Sequence, residues 1–253
     1  MSGITIFMYH QIGPFPKMAE HRASYCNIDR FRAQMRMLKL LGIPVLSMST
    51  AARALRGEIA MPRRAVVLSF DDGCRNFHEH ALPVLRAHGF PAIVYAISDM
   101  IGGTADWLAS AGHPAAPLMN WEELRSLPAD NIEIGSHSAN HIRLGDQDAT
   151  RQIRELRDSK ARLEDGLGRA VPHVCYPYGS HGPETLKAAA QAGYETGVTC
   201  QRGAATPAFD PLALPRKAIS QGDDSFGFLW KLYAKDAPKG TTLFRPDWHQ
   251  PHA

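Results

Sequence analysis

The 253-residue chain has little cysteine: four residues, Cys26, Cys74, Cys175 and Cys200, with no CxxC pair among them. That spacing argues against a zinc ribbon or a dense disulfide framework and fits reduced, partly buried thiols. No apolar run approaches the roughly 20 residues needed to span a bilayer, so no transmembrane segment is expected. The first ten residues, Met1 to His10, lack a basic segment followed by a long apolar stretch. No secretory leader is legible there, and the expected location is cytoplasmic unless a leader has been removed. Lysine and arginine form no dense run and the net charge of +3 is spread along the chain. That excludes the basic stripe that tracks a nucleic-acid backbone. There is no internal repeat and no low-complexity tract, and nothing in the composition reports the oligomeric state.

What remains is an ordinary globular composition, 44% hydrophobic and 21% charged, in a chain long enough for one α/β barrel. Short apolar segments alternate with longer amphipathic ones. Strands are expected at Ile4–Tyr9, Ala65–Phe70, Ala92–Ala96, Ile132–Gly135, Val171–Cys175, Glu195–Thr199 and Leu214–Ser220. Helices are expected at Asp29–Leu41, His78–His88, Trp121–Leu127 (capped by Asn120 with Glu123 at the capping-box position), Ala149–Leu167 and Pro183–Gly193. About seven strand–helix units argue for a parallel sheet with helices outside, open or closed. Functional residues should then gather just after the C-terminal ends of strands. Gly102–Pro117 reads as a loop insertion. Residues 1–222 read as the main domain and 223–253 as a C-terminal extension, its apolar patch Phe226–Tyr233 forming a helix packed on the outside.

Three motifs fall at predicted strand ends. Ser69-Phe70-Asp71-Asp72-Gly73 places two carboxylates side by side, where they repel unless a cation neutralises one. One of them could equally cap the next helix. Gly135-Ser136-His137-Ser138-Ala139-Asn140-His141 spaces two histidines by four, so on a helical turn both imidazoles would reach one ion. With 12 histidines in the chain that spacing alone is weak. Two histidines and a carboxylate from different strand ends, however, make a three-ligand site with open positions for water and substrate. Such a donor set suits zinc first, and also cobalt, nickel or iron. Cys175-Tyr176-Pro177-Tyr178-Gly179-Ser180 is either a rigid turn or a groove wall with a backbone N–H aimed at an oxyanion.

Phe70-Asp71-Asp72-Gly73, His137-Ser138-x-x-His141 and Pro177-Tyr178-Gly179, in that order, resemble the first three motifs of the NodB-type polysaccharide deacetylases, carbohydrate esterase family four. The resemblance covers about residues 4–220. It implies an irregular (β/α)7 barrel, with Asp71 as general base, Asp72, His137 and His141 on a divalent metal, and the Pro-Tyr-Gly loop along the substrate groove. Two departures stand out. Cys175 occupies the place of an arginine that orients the catalytic aspartate in the family, and no C-terminal Leu-x-His supplies the general acid. Met8-Tyr9-His10 instead resembles the subgroup that deacetylates poly-β-1,6-N-acetylglucosamine, in which the barrel order is permuted and the acid histidine comes from an N-terminal strand. By that resemblance His10 is the acid, and Arg216 is the candidate to replace the missing arginine at the substrate site.

The expected reaction is hydrolysis of the acetamide of an N-acetylated sugar, in an oligo- or polysaccharide or a glycan precursor, releasing acetate. Trp107, Trp121, Tyr176 and Tyr178 are candidates to stack on sugar faces, and each is equally a packing aromatic. Two other readings share the motifs: a same-fold amidohydrolase acting on a non-sugar amide, and an inactive glycan-binding homologue. The first tends to alter the aspartate pair or the groove loop, both intact here; the second has no need of Asp71 beside a filled metal site.

Overall fold

The structure is a computed structural model that describes residues 3–107, 109 and 113–248. Seven strands close into a parallel barrel among the described residues. They are β1 (Gly3–Tyr9), β4 (Arg64–Phe70), β5 (Ala92–Ala96), β8 (Ile132–Ser136), β9 (His173–Cys175), β10 (Thr196–Arg202) and β11 (Leu214–Ala218). Off the barrel, β2 (Gln11–Gly13) pairs in parallel with β3 (Tyr25–Asn27), and β6 (Thr104–Ala105) pairs antiparallel with β7 (Ala116–Pro117). The helices are α1 (Ile28–Leu40), α2 (Met48–Leu55), α3 (Leu82–His88), α4 (Trp121–Ser126), α5 (Ala149–Leu167), α6 (Pro183–Gln191) and α7 (Ser225–Tyr233).

The ring order is β1–β4–β5–β8–β9–β10–β11, which is chain order. Any permutation relative to the family therefore lies in where the chain enters the ring and not in its winding. Strands buried on both faces need near-continuous apolar runs, and β1 and β4 supply them. These two are in register over seven residues, from Gly3 opposite Arg64 to Tyr9 opposite Phe70. The wall is weaker beside the motifs: β8 and β9 share a single registered pair, Ser136 opposite Val174, and the β10–β11 register shifts between Val198 and Arg202. That is the irregularity expected of the barrel.

Alternation along each strand divides the core. One set of side chains, with Tyr9, Phe70, Val94 and Ile134, packs outward against α1, α3 and α4. The other, with Ile4, Ile6, Val67, Ile93, Tyr95, Val198 and Leu214, fills the barrel. Gly135 is part of that filling, because a Cβ there would lie 2.4 Å from the Tyr95 ring. The floor is α2, an element not predicted from the sequence. Its Met48, Ala51 and Leu55 join the interior cluster, and its Met48 and Ser49 amides donate to inward-facing Glu133. Met48, Ala51, Ala52 and Leu55 do recur at helical spacing, but the eight-residue segment is shorter than the window over which such a period is read.

Other boundaries differ modestly. The His78–His88 helix opens with a wide π-type turn at Phe77–Ala81 before α3. The Gly102–Pro117 insertion carries the short β6–β7 ladder, and its residues 108 and 110–112 lie outside the described residues. The tail helix α7 packs against β1 and α1: Phe228 and Leu232 are fully buried, and Phe228 meets Phe7 with ring centroids 4.8 Å apart. No described helix is long and apolar enough to cross a membrane.

Candidate active site

The three motifs and His10 meet at the C-terminal mouth of the barrel, around one cleft of about 450 Å³. His10 follows β1, Asp71 and Asp72 follow β4, His137 and His141 follow β8, and Pro177-Tyr178-Gly179 follow β9. Asp72 Oδ1 lies 3.4 Å from Nε2 of both His137 and His141. One donor atom from each of these three residues falls within 4.8 Å of the others. All three are buried, and their spacing and chemistry fit a divalent ion. His137 Nδ1–H donates to the Cys175 carbonyl at 2.8 Å, which leaves Nε2 with its lone pair toward the ion position. Burial pushes the Asp72 carboxyl up, but its contacts with His137 and His141 outweigh that and hold it well below the ordinary carboxylate range. A second grouping, Asp71, His137 and Cys175, also has converging donor atoms. It is the poorer donor set: Asp71 is committed to Arg216, and burial pushes the Cys175 thiol up to about 11.

Arg216 reaches Asp71 from inside the barrel. Its Nη1 donates to Oδ1 at 2.7 Å and its Nη2 to Oδ2 at 2.8 Å, a two-pronged pair in a fully buried setting. Its other N–H groups go to the Ser69 hydroxyl, the Cys175 sulfur and the Thr199 carbonyl. Arg216 is thus fully paired and points away from any substrate, so its grouping with substrate-binding residues is corrected: it orients Asp71. Burial raises the Asp71 carboxyl, but Arg216, by charge and by hydrogen bonding, overrides this and leaves it below its ordinary value, with His10 and His137 acting in the same direction. At neutral pH Asp71 is a carboxylate held in one orientation. Cys175 stands beside this pair as a neutral thiol, 3.5 Å from Asp71 Oδ2.

His10 is partly exposed at the cleft, with Nε2 3.8 Å from Asp71 Oδ2. That is beyond hydrogen-bond range. Its Nδ1 is buried without a partner among the described residues.

The histidine pair converges by a route other than a helical turn. Residues 137–141 form a loop in which Ser138 (φ 62°) and His141 (φ 53°) are left-handed. With Asp72 (φ 73°) and Tyr178 (φ 59°), four of the six described non-glycine residues of positive φ fall in the three motifs, and a fifth, His21 (φ 47°), lines the cleft. Such conformations cost on the order of 1–3 kcal/mol each and persist only where surroundings enforce them. Glu155 does so here. Its buried carboxylate accepts from the amides of Ala139 (3.1 Å) and Asn140 (2.9 Å) and from the Asn140 side chain (2.9 Å), and pairs with Arg151 at 2.6 Å. Sequence reading missed Glu155, yet a signal existed: it shares the buried stripe of α5 with Gln152, Leu156, Ser159 and Leu163. A carboxylate on a core-facing stripe must have a partner.

Of the four candidate stacking aromatics, two line the cleft. Trp107 lies on the His141 ring with centroids 4.1 Å apart, and Tyr178, 45% exposed, lies 4.7 Å from it on the other contact. Tyr176 is corrected. It borders the cleft, but its ring is fully buried and its hydroxyl donates to the Leu212 carbonyl, so no sugar can stack on it. Trp121 is corrected too: it packs over Gly166 and against the outer core, away from the cleft. Pro177 is buried and shapes the loop. Gly179 (φ 65°) is required because a Cβ there would come within 2.6 Å of the Cys200 Cβ. Arg143, His21 and Gln11 also line the cleft and were not anticipated.

Comparison with known proteins agrees with this geometry. The polysaccharide deacetylase family profile matches residues 58–197. The chain is 28% identical over 225 residues to YxkH of Bacillus subtilis (strain 168), a protein named for polysaccharide deacetylation, covering 89% of this chain and 74% of that one. It is 24% identical over 212 residues to the poly-β-1,6-N-acetyl-D-glucosamine N-deacetylase of Staphylococcus epidermidis, covering 80% and 70%. Among solved structures, the Streptococcus pyogenes deacetylase PplD in complex with acetate superposes with a TM-score of 0.78 at 26% identity, covering 92% of this chain and 99% of that one. IcaB from Ammonifex degensii shares the fold, with a TM-score of 0.74 at 20% identity over 92% and 98%. The family profile's match over more than half of the chain, with the closed barrel shared with these deacetylases, shows that the chain belongs to the polysaccharide deacetylase family.

Proposed function

We propose that the protein is a metal-dependent N-deacetylase that hydrolyses the acetamide of N-acetylated sugars in an oligo- or polysaccharide or a glycan precursor. The observation that carries this is the adjacency of two differently committed carboxylates: Asp72 faces two imidazoles at 3.4 Å, while Asp71, next in the chain, is locked by Arg216. Asp72, His137 and His141 would hold the ion, with zinc the first expectation and cobalt, nickel or iron compatible with the same donors. A bound divalent ion supplies Lewis acidity toward the acetamide carbonyl and lowers the pKa of water.

The chain's own residues divide the remaining work. Asp71, ionised and fixed in orientation, accepts the proton of the attacking water. His10, whose Nε2 lies 3.8 Å from Asp71, gives a proton to the departing sugar amine, so that water and acetamide become acetate and free amine. The Tyr178 backbone N–H is the candidate oxyanion donor. Pro177 and Gly179 fix the loop that carries it, and Tyr178 and Trp107 offer faces for a sugar ring.

The test is acetate and free-amine release from a panel of N-acetylated sugars, with and without chelator. Asp71→Asn is expected to reduce turnover by at least about 100-fold with bound metal unchanged. His137→Ala should lose both metal and turnover, and His10→Ala turnover alone. Full turnover by Asp71→Asn would overturn the base assignment.

A further inference from the structure

The cleft carries charge of one sign beyond its reacting groups. Asp71 and Asp72 are the carboxylates that line it among the described residues, and both are committed, to Arg216 and to the imidazole pair. Arg143 lines the same cleft, exposed at its rim, with its guanidinium carbon 4.5 Å from the centre of the Tyr178 ring. Tyr178 in turn lies 4.7 Å from His141, so two ring contacts separate the guanidinium from the proposed ion site. Several arginines on neighbouring elements have carboxylate partners: Arg75 with Glu123, Arg151 with Glu155 and Arg162 with Asp99. Arg143 has none among the described residues. Its guanidinium carbon sits over the Tyr178 ring, while its N–H groups have no acidic partner among the described residues. A guanidinium held over an aromatic ring has its N–H fork free for a carboxylate or phosphate, and gains roughly half as much from a neutral hydroxyl.

We propose that Arg143 is a specificity residue selecting an N-acetylated glycan that carries an oxyacid anion, a uronate carboxylate or a phosphodiester, close to the acetamide being cleaved. The proposal rests on the deacetylase reading of the same site and adds the substrate's charge to it. The alternative is structural: Arg143 only braces the left-handed Tyr178 loop. A brace acts on every substrate alike, whereas a charge selector acts on acidic ones and weakens with ionic strength.

The experiment measures binding by calorimetry to the metal-loaded full chain carrying Asp71→Asn, so that nothing is turned over. Three probes are compared: chitotetraose, the alternating N-acetylglucosamine–glucuronate tetrasaccharide, and an N-acetylglucosamine 1-phosphodiester. At low salt, at least one acidic probe should bind about tenfold or more tighter than chitotetraose, the order of one charge-assisted pair. Whichever it is names the anion. Arg143→Gln should collapse that ratio toward one, Arg143→Lys should retain part of it, and added salt should narrow it. Chitotetraose binding as tightly as both acidic probes, or Arg143→Gln weakening all three equally, would overturn the proposal. Acetate release by the unmodified chain is scored separately. Release from none of the probes would count against the deacetylase reading, while the binding ratios decide the role of Arg143.

Discussion

Arg216 shows how a single side chain can carry a site that its motif lacks. Cys175 stands where the resemblance leads one to expect an arginine, and Arg216 arrives instead from β11, two strands from β4 around the ring, placing all its N–H groups on acceptors around Asp71. Its removal should be felt twice. Truncating one partner of a buried ion pair leaves the other charge uncompensated, so Arg216→Met is expected to cost about 3–5 kcal/mol of unfolding free energy. The catalytic consequence follows from sign. Arg216 lowers the Asp71 carboxyl against a burial effect that raises it, so without Arg216 the carboxyl moves up. The acid limb of kcat/KM should then shift to higher pH. A pH–rate profile with an unmoved acid limb would mean that Arg216 is not what keeps Asp71 ionised. The resemblance singles out Arg216 as the replacement, but its contact with Asp71 depends on the ring closure, where β11 pairs with β1 and β1 in turn with β4.

At the scale of elements, the site is made of strand ends, and this is where the sequence was most legible. β1, β4 and β8 are apolar runs broken by His10, Asp71-Asp72 and His137, and the change from buried strand to polar mouth can be read in the letters. The loops after them were less legible. A histidine pair at i and i+4 suggested a helical turn, whereas the loop reaches the same convergence through left-handed Ser138 and His141 under the control of Glu155. Spacing cannot encode a tether that comes from a different element. Glu155→Gln keeps the shape and removes the charge that holds two amides, a side-chain amide and Arg151. Metal affinity in a chelator competition assay is expected to fall about 10- to 100-fold, as for other residues that orient ligands. Unchanged affinity would show that the loop is self-supporting.

Across the whole molecule, the main question is whether residues 223–253 are an appendage or part of the barrel. Their helix α7 buries Phe228 and Leu232 in the same core cluster as Phe7, Tyr9 and Phe70. Buried Lys217 of β11 donates to the carbonyls of Lys231 and Ala234 at 2.7 and 2.8 Å, tying the end of α7 to the strand. We expect α7 to be the barrel's closing helix, so that Phe228→Ala costs about 3–5 kcal/mol and a chain ending at Gly222 fails to unfold cooperatively. Cooperative melting of that shortened chain at the full-length temperature would show that the tail is separable.

The account depends most on one shared ion between β4 and β8, and anomalous diffraction from crystals grown with zinc tests it most directly. It predicts a single strong peak about 2.0–2.2 Å from a carboxylate oxygen of Asp72 and from Nε2 of both His137 and His141. A peak bonded to Asp71 instead of Asp72, or none at this site with zinc saturating, would contradict it.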